Sequence, residues 1–219
     1  MERLTLMQTL NKCVKLIKLN KGLNISILHV PFIIYVPFMK FKHRIAKLDD
    51  IPSIERLMYQ SITKLLGYYV DEEELEASFE SMGLDDQLIK DKRYFLIFHG
   101  EILVGCGGWS NRKTLFGGNH TPNRSNDFLD PNNDAAKIRA MYTNPDWARK
   151  GVGTLILKLA EKEASNFGFK KCELMATLSG MHLYKERGYI IDEETIYESK
   201  KGNTVKMFKM TKLLNLTNT

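Results

Sequence analysis

The chain has 219 residues, enough for one domain with a full hydrophobic core and short for two. Its 43% hydrophobic and 26% charged residues are the proportions of a soluble globular protein, not of a disordered or wholly membrane-embedded chain. Net charge is +6, but residues 1–38 set Arg3, Lys12, Lys15, Lys18 and Lys21 against Glu2 and so carry +4, which leaves +2 for the rest and argues against a nucleic-acid partner.

Residues 1–38 differ in character from residues 39–219. Met7, Leu10, Val14 and Ile17 form a helical stripe, and an apolar run from Ile25 to Phe38 is interrupted by Pro31 and Pro37. That run is too short and too broken by proline to span a bilayer, which takes about 20 apolar residues. A basic start suits a signal peptide, but no small-residue cleavage site comes after it. The reading is a leader, poorly attached or disordered, with Met39 opening the domain at 39–219. Membrane contact through residues 1–38 is the lesser reading.

From Met39 the pattern becomes regular. Phe41–Ala46 reads as a strand. Asp49 or Asp50 is placed to cap a helix with Pro52 in its first turn, Ile54, Leu57, Met58, Ile62 and Leu65 on its buried face, and Gly67 as its stop. A second helix, about 71–82, opens on Asp71-Glu-Glu-Glu74, which suits the positive end of the helix dipole better than a site for a cationic substrate. Strands Arg93–Phe98 and Ile102–Trp109 meet at a tight turn around His99-Gly100. The stretch 111–134 is long for a connection in a compact domain, so it is either disordered or lies over a binding site.

Next comes an extended run, Ala135–Thr143, which passes through Asn144-Pro-Asp-Trp-Ala-Arg-Lys-Gly-Val-Gly-Thr154 into a helix. The expected buried face of that helix is Val152, Leu155, Ile156, Leu159, Ala160, Ala164 and Phe167. A strand that enters a helix through a basic, glycine-containing loop aims free N–H groups and the helix dipole at one point, which is a place for phosphate. Lys150 precedes Gly151, unlike the order in a nucleotide P-loop, and the third glycine of a dinucleotide fingerprint is missing. Cys172–Ala176 reads as a strand and Met181–Arg187 as a short helix. Tyr189–Ile196 and Thr204–Met210 read as an antiparallel pair around Lys200-Lys-Gly-Asn203. The order gives an α+β fold, a mixed and mostly antiparallel sheet flanked by helices with one parallel crossover at its centre.

Cys13, Cys106 and Cys172 are odd in number and widely spaced, which points to a reducing, cytoplasmic compartment without disulfides. Neither they nor the five histidines have metal-ligand spacing, so no metal is expected.

This order of parts resembles the GNAT-type acyl-CoA N-acyltransferase superfamily over about Met39–Met210. The resemblance is most specific from Ile138 to Tyr189, including Leu183-Tyr-Lys-Glu-Arg-Gly-Tyr189. It implies an acetyl-CoA-dependent N-acetyltransferase that moves the acetyl group to a primary amine, carried by a small molecule or a peptide, in a ternary complex. It implies that Arg149, Lys150, Gly151, Val152, Gly153 and Thr154 hold the pyrophosphate of coenzyme A, and that main-chain groups of Met141, Tyr142 and Thr143 meet the pantetheine arm. Tyr184 is implied as the catalytic donor to the departing thiolate, a task suited to a phenol of pKa about 10. Ala148 stands where the family usually has Gln or Arg, which implies a weaker grip at that point. His182, two residues before Tyr184, falls on another face of the helix and reads as a surface residue.

No single general base is evident. Glu173 sits on a central strand, where reaching a solvated edge is the simpler reading; Asp130, Asp134 and His120 lie in or beside the long loop, and a water relay is equally open. Tyr59, Tyr68, Tyr69, Trp109 and Asp71–Glu74 are candidates for an acceptor pocket. The alternative function is a non-catalytic acyl-CoA-binding sensor, and a homodimer is left open.

Overall fold

The computed structural model describes residues 40–122 and 124–214. The expected leader, 1–38, lies outside the described residues. Among these, seven strands form one sheet in the order β1-β2-β3-β4-β5-β7-β6. They are β1 (Lys42–Ile45), β2 (Tyr94–His99), β3 (Ile102–Ser110), β4 (Ala136–Thr143), β5 (Lys171–Ala176), β6 (Ile190–Glu198) and β7 (Thr204–Leu213). Every neighbouring pair is antiparallel except β4 and β5, which run parallel. The mixed sheet with one central parallel pair is the α+β architecture expected.

Five α-helices flank the sheet: α1 (Ile51–Ser61), α2 (Glu72–Ser81), α3 (Asp86–Lys90), α4 (Val152–Asn166) and α5 (Leu178–Glu186). The continuous apolar run of β2 is explained by burial on both faces. Phe95 and Ile97 face a core with Ile156 and Ala160 of α4, whereas Tyr94 and Leu96 face a second core with Ile54, Leu57 and Met58 of α1. Two glycines of β3 bring α4 close to the sheet. A Cβ on Gly105 would lie 2.4 Å from Val152 Cγ1, and one on Gly107 would lie 2.7 Å from Ile156 Cγ2.

Several local expectations are corrected. Asp50 precedes α1 but makes no cap bond to it; its carboxylate takes two 2.7 Å hydrogen bonds from Arg44 and one from the Lys47 amide. The helix also widens after Ser61 into a π turn, Ile62–Leu66, in which Gly67 N–H reaches Ile62 O. The extra residue per turn buries Leu66 in place of Leu65. On α4, Leu157 joins the core, whereas Phe167 caps the helix and is 48% exposed, stacked on Phe169. The short α3 has too few turns to show a helical period in the sequence; Asp85 caps it by accepting from Gln87 N–H.

The acidic start of α2 is a cap, as expected. Asp71 accepts from Glu74 N–H at 2.8 Å, and Glu74 reaches back to Asp71 N–H. The long loop is folded against the domain: Arg112 grips Asp91 with two hydrogen bonds, and Arg139 donates to Thr114 O and Gly117 O.

Candidate active site

The site starts from a defect in β4. Cys106 faces Tyr142 and Gly108 faces Arg139, so Ala140 and Met141 together oppose Gly107. That is a β-bulge, which bends the strand. Ala140 takes φ 51°, and the Tyr94 hydroxyl donates to Ala140 O at 2.8 Å and pins the bulge. Gly107 makes room, because a Cβ there would lie 2.8 Å from Met141 Cγ.

The bend carries β4 away from β5. The two strands pair only at Ala136–Cys172 and Lys137–Glu173, and beyond that they separate. Lys137 and Glu173 form a buried ion pair at the base of the opening, and Lys209 Nζ lies 3.6 Å from the same carboxylate. Glu173 is thus enclosed by two lysines; the expectation that it reaches a solvated edge is wrong, because this register places a cation beside it.

Beyond the bulge, Asn144 N–H bonds to Val104 O of β3, so the preceding amide points to the opposite edge of the strand, where Thr143 N–H meets Ser61 Oγ at 3.3 Å. Next, Asn144 caps a short turn, Pro145–Trp147, that is held by aromatic contacts. Trp147 packs 4.5 Å from the His99 ring and 6.1 Å from Phe41, centroid to centroid. Lys150 Nζ lies over the Trp147 ring and donates to Asp146 O.

Arg149 and Gly151 both take left-handed conformations, with φ of 61° and 88°. They turn the chain so that α4 starts at Val152 with Gly151 as its N-cap. The first bond of the helix runs from Leu155 N–H to Gly151 O. The amides of Val152, Gly153 and Thr154 therefore have no partner within the helix, and its first turn contains no acidic side chain. This is an anion-binding arrangement.

Tyr184 on α5 stands opposite. It is 9% exposed, and its hydroxyl donates to Met141 Sδ at 3.7 Å. Burial pushes its phenol up to about 12, so it is protonated at neutral pH.

A cleft of about 640 Å³ joins these parts. Met141, Thr143, Arg149, Gly151, Val152, Gly153, Thr154 and Tyr184 all line it, and so does Ala148. The side chains of two expected residues leave the large cleft: Lys150 is turned to Trp147, and the Tyr142 ring, expected to contribute only through its main chain, is buried, lines the second pocket and accepts from Gly83 N–H. A second, narrow pocket of about 80 Å³ meets the cleft at Met141 and Tyr184, which line both.

Tyr68 and Tyr69 line the large cleft, but Trp109 is buried away from it, with its indole N–H on Glu163. Asp130 and Asp134 bond within their own turn, and His120 Nε2 meets Phe79 O. His182 is exposed and 3.3 Å from Glu186 on the cleft rim. Ser61, Lys64 and Arg187 also line the cleft and were not singled out in the sequence; so does Leu65, which the helical period placed in the core. The basic residues there carried no local signal; Leu65 would have been found had the π turn been legible.

Among the described residues no group of His, Cys, Asp or Glu is arranged to hold a metal, and no helix is long and apolar enough to cross a membrane. Cys106 and Cys172 are free and fully buried, and burial pushes both thiols up to about 12. They fill the strands as small apolar side chains.

A splayed central strand pair, a helix start with free amides and a buried phenol between two pockets are parts that an acyl-transfer site would use. The family model for the acetyltransferase (GNAT) family matches residues 56–189, more than half of the chain. The chain belongs to that family and is an acetyltransferase. No curated protein matches it.

Solved structures share the fold. A GCN5-related N-acetyltransferase of Rhodopseudomonas palustris is 19% identical with a TM-score of 0.59, covering 79% of this chain and 95% of its own. The PaiA N-acetyltransferase of Thermoplasma acidophilum, in complex with coenzyme A, is 15% identical with a TM-score of 0.52, covering 80% and 99%. A Salmonella typhimurium structure described with its cofactor acetyl-CoA is 13% identical with a TM-score of 0.54, covering 82% and 96%.

Proposed function

We propose that the chain transfers the acetyl group of acetyl-CoA to a primary amine by direct attack, in a cytoplasmic setting. The observation that carries this reading is the meeting of the long cleft and the narrow pocket at Met141 and Tyr184. Two reactants entering from opposite sides would be held with their reacting atoms together, which supplies much of the rate enhancement of a bimolecular step.

The donor set fits a phosphate-bearing thioester. The Val152, Gly153 and Thr154 amides, with Arg149 beside them, face one end of the cleft, and a Cβ on Gly151 would meet nothing within 4 Å, so the loop is open to a ligand. Main-chain groups of Met141, Tyr142 and Thr143 lie along the bent strand toward the reacting end. The Met141 N–H is the group we assign to the carbonyl oxygen as charge develops on it.

In the transfer, the amine nitrogen forms a bond to the acetyl carbon, the carbon–sulfur bond breaks, and the sulfur takes the Tyr184 proton. The proton lost by the amine returns to Tyr184 through water. Among the described residues no carboxylate lines the narrow pocket, which favours a water relay over a side-chain base. The test is thiol release from acetyl-CoA in the presence of an amine panel. Amine-dependent release supports the reading, and binding of acetyl-CoA without transfer to any amine contradicts it.

A further inference from the structure

The narrow pocket carries information about the amine. Its walls include Met82, Met141, Met175 and Met207 with Phe116 and Ile138, and its volume of about 80 Å³ is well below the 300 Å³ or so at which drug-sized ligands are usually held. Methionine side chains are adaptable in shape and polarizable, so such walls tolerate apolar groups of differing outline. Ser81, Tyr142, Thr177 and Tyr184 add hydroxyls to the lining, but among the described residues no carboxylate does, so the walls carry no negative charge.

The charged groups nearby are already engaged. Arg139, the one charged residue among the described residues of the lining, is buried; its guanidinium donates to Thr114 O and Gly117 O and lies 2.9 Å from Asp85, which Arg124 also holds. Of the α2 carboxylates facing the β6–β7 turn, Glu76 is paired with Lys201 and Glu80 accepts from Lys200 N–H, and neither lines the pocket. Asp71 and Glu74 serve as a helix cap. A second ammonium carried into this pocket would be partly desolvated with no anionic partner among the described residues of its lining.

We infer that the acceptor is a monoamine on a slender apolar stem, and that diamines, polyamines and aminoglycosides are excluded. This rests on the proposed acetyl transfer. The apolar stem could belong to a free alkylamine or arylalkylamine, or be the methylene chain of a lysine residue.

The test compares butylamine, phenethylamine, an N-terminally blocked lysine peptide, butane-1,4-diamine, spermidine and an aminoglycoside as acceptors for the full chain, by thiol release at saturating acetyl-CoA. The expected kcat/KM of the monoamines exceeds that of the diamine and polyamine by about 100-fold or more. The lysine peptide against the alkylamines tells the two stems apart. A polyamine or aminoglycoside as the best acceptor overturns the inference while leaving acetyl transfer standing. Release with no amine at all, though acetyl-CoA binds in calorimetry, overturns the transfer reading itself.

Placing a carboxylate in the pocket gives a second arm. Met82→Glu, at a half-buried position, and Met207→Glu are each expected to raise kcat/KM for butane-1,4-diamine relative to butylamine by about 10-fold or more. Acetyl-CoA affinity by calorimetry verifies that each variant is folded. No change in that ratio in a variant that still binds acetyl-CoA contradicts the assignment of the pocket.

Discussion

Replacing Tyr184 with Phe removes one oxygen from the point where the two pockets meet. The hydroxyl bonds to the Met141 sulfur at 3.7 Å, a weak acceptor, while the ring packs edge-on against Tyr189 with centroids 5.9 Å apart. The ring stays, so the fold should lose less than about 1 kcal/mol. Catalysis should lose much more, because a positioned proton donor contributes about 100–10,000-fold. At about 1.4 kcal/mol per tenfold, that corresponds to about 2.7–5.5 kcal/mol in the barrier. Burial holds the phenol near 12, so the donor is protonated over any ordinary assay range and its ionisation should give no alkaline limb below about pH 11. Thiol release at saturating acetyl-CoA and amine measures turnover, calorimetry measures donor affinity, and thermal unfolding checks the fold. The expected result is a turnover loss of about 100-fold or more with affinity and Tm nearly unchanged. Turnover within about twofold of the unmodified chain would refute the role given to Tyr184.

Gly151→Val forces a β-branched residue into φ 88° with no clash at its Cβ, so it should weaken acetyl-CoA binding by about tenfold through backbone strain of about 1–2 kcal/mol; unchanged calorimetric affinity removes the pyrophosphate assignment. Lys137→Met leaves Glu173 buried with the more distant Lys209, and should destabilise the protein toward the lower end of about 3–5 kcal/mol, with Lys137→Met/Glu173→Leu recovering much of it in urea unfolding. Cys106→Ala and Cys172→Ala should retain amine-dependent transfer, since a direct attack uses no acyl-cysteine; loss of turnover in a folded variant would contradict this. The Arg112 guanidinium holds the Asp91 carboxyl below its ordinary range. Its pair therefore stabilises the fold fully above the unfolded carboxylate pKa of about 3.9, and the contribution is lost as pH falls through the lower folded value. Asp91→Asn should flatten that part of the acid unfolding curve.

The parts of the site that were legible in the sequence are those set by neighbours along the chain. Gly151 and Gly153 between a basic loop and an amphipathic helix marked the anion site, and Asp71 three residues before Glu74 marked a helix start. What was not legible depends on partners far away in sequence. The bulge at Ala140 needs the missing side chain of Gly107 across the ladder and the Tyr94 hydroxyl beneath it. Glu173 looked like a residue free to reach solvent because nothing local shows that the parallel register sets Lys137 beside it. Leu66 replaced Leu65 in the core because one turn of α1's continuation is wound as a π turn, which a 3.6-residue period does not anticipate. The narrow pocket itself is assembled from α2, the long loop, β4, β5, α5 and β7, so its lining comes together only after folding.

The most direct test of acetyl transfer is mass analysis of an amine such as phenethylamine after incubation with the full chain and acetyl-CoA, alongside thiol release in the same sample. One acetyl group added per amine is expected for each thiol released, with both signals dependent on the amine. Thiol release without an acetylated amine, or neither signal at any amine concentration despite acetyl-CoA binding, would contradict it.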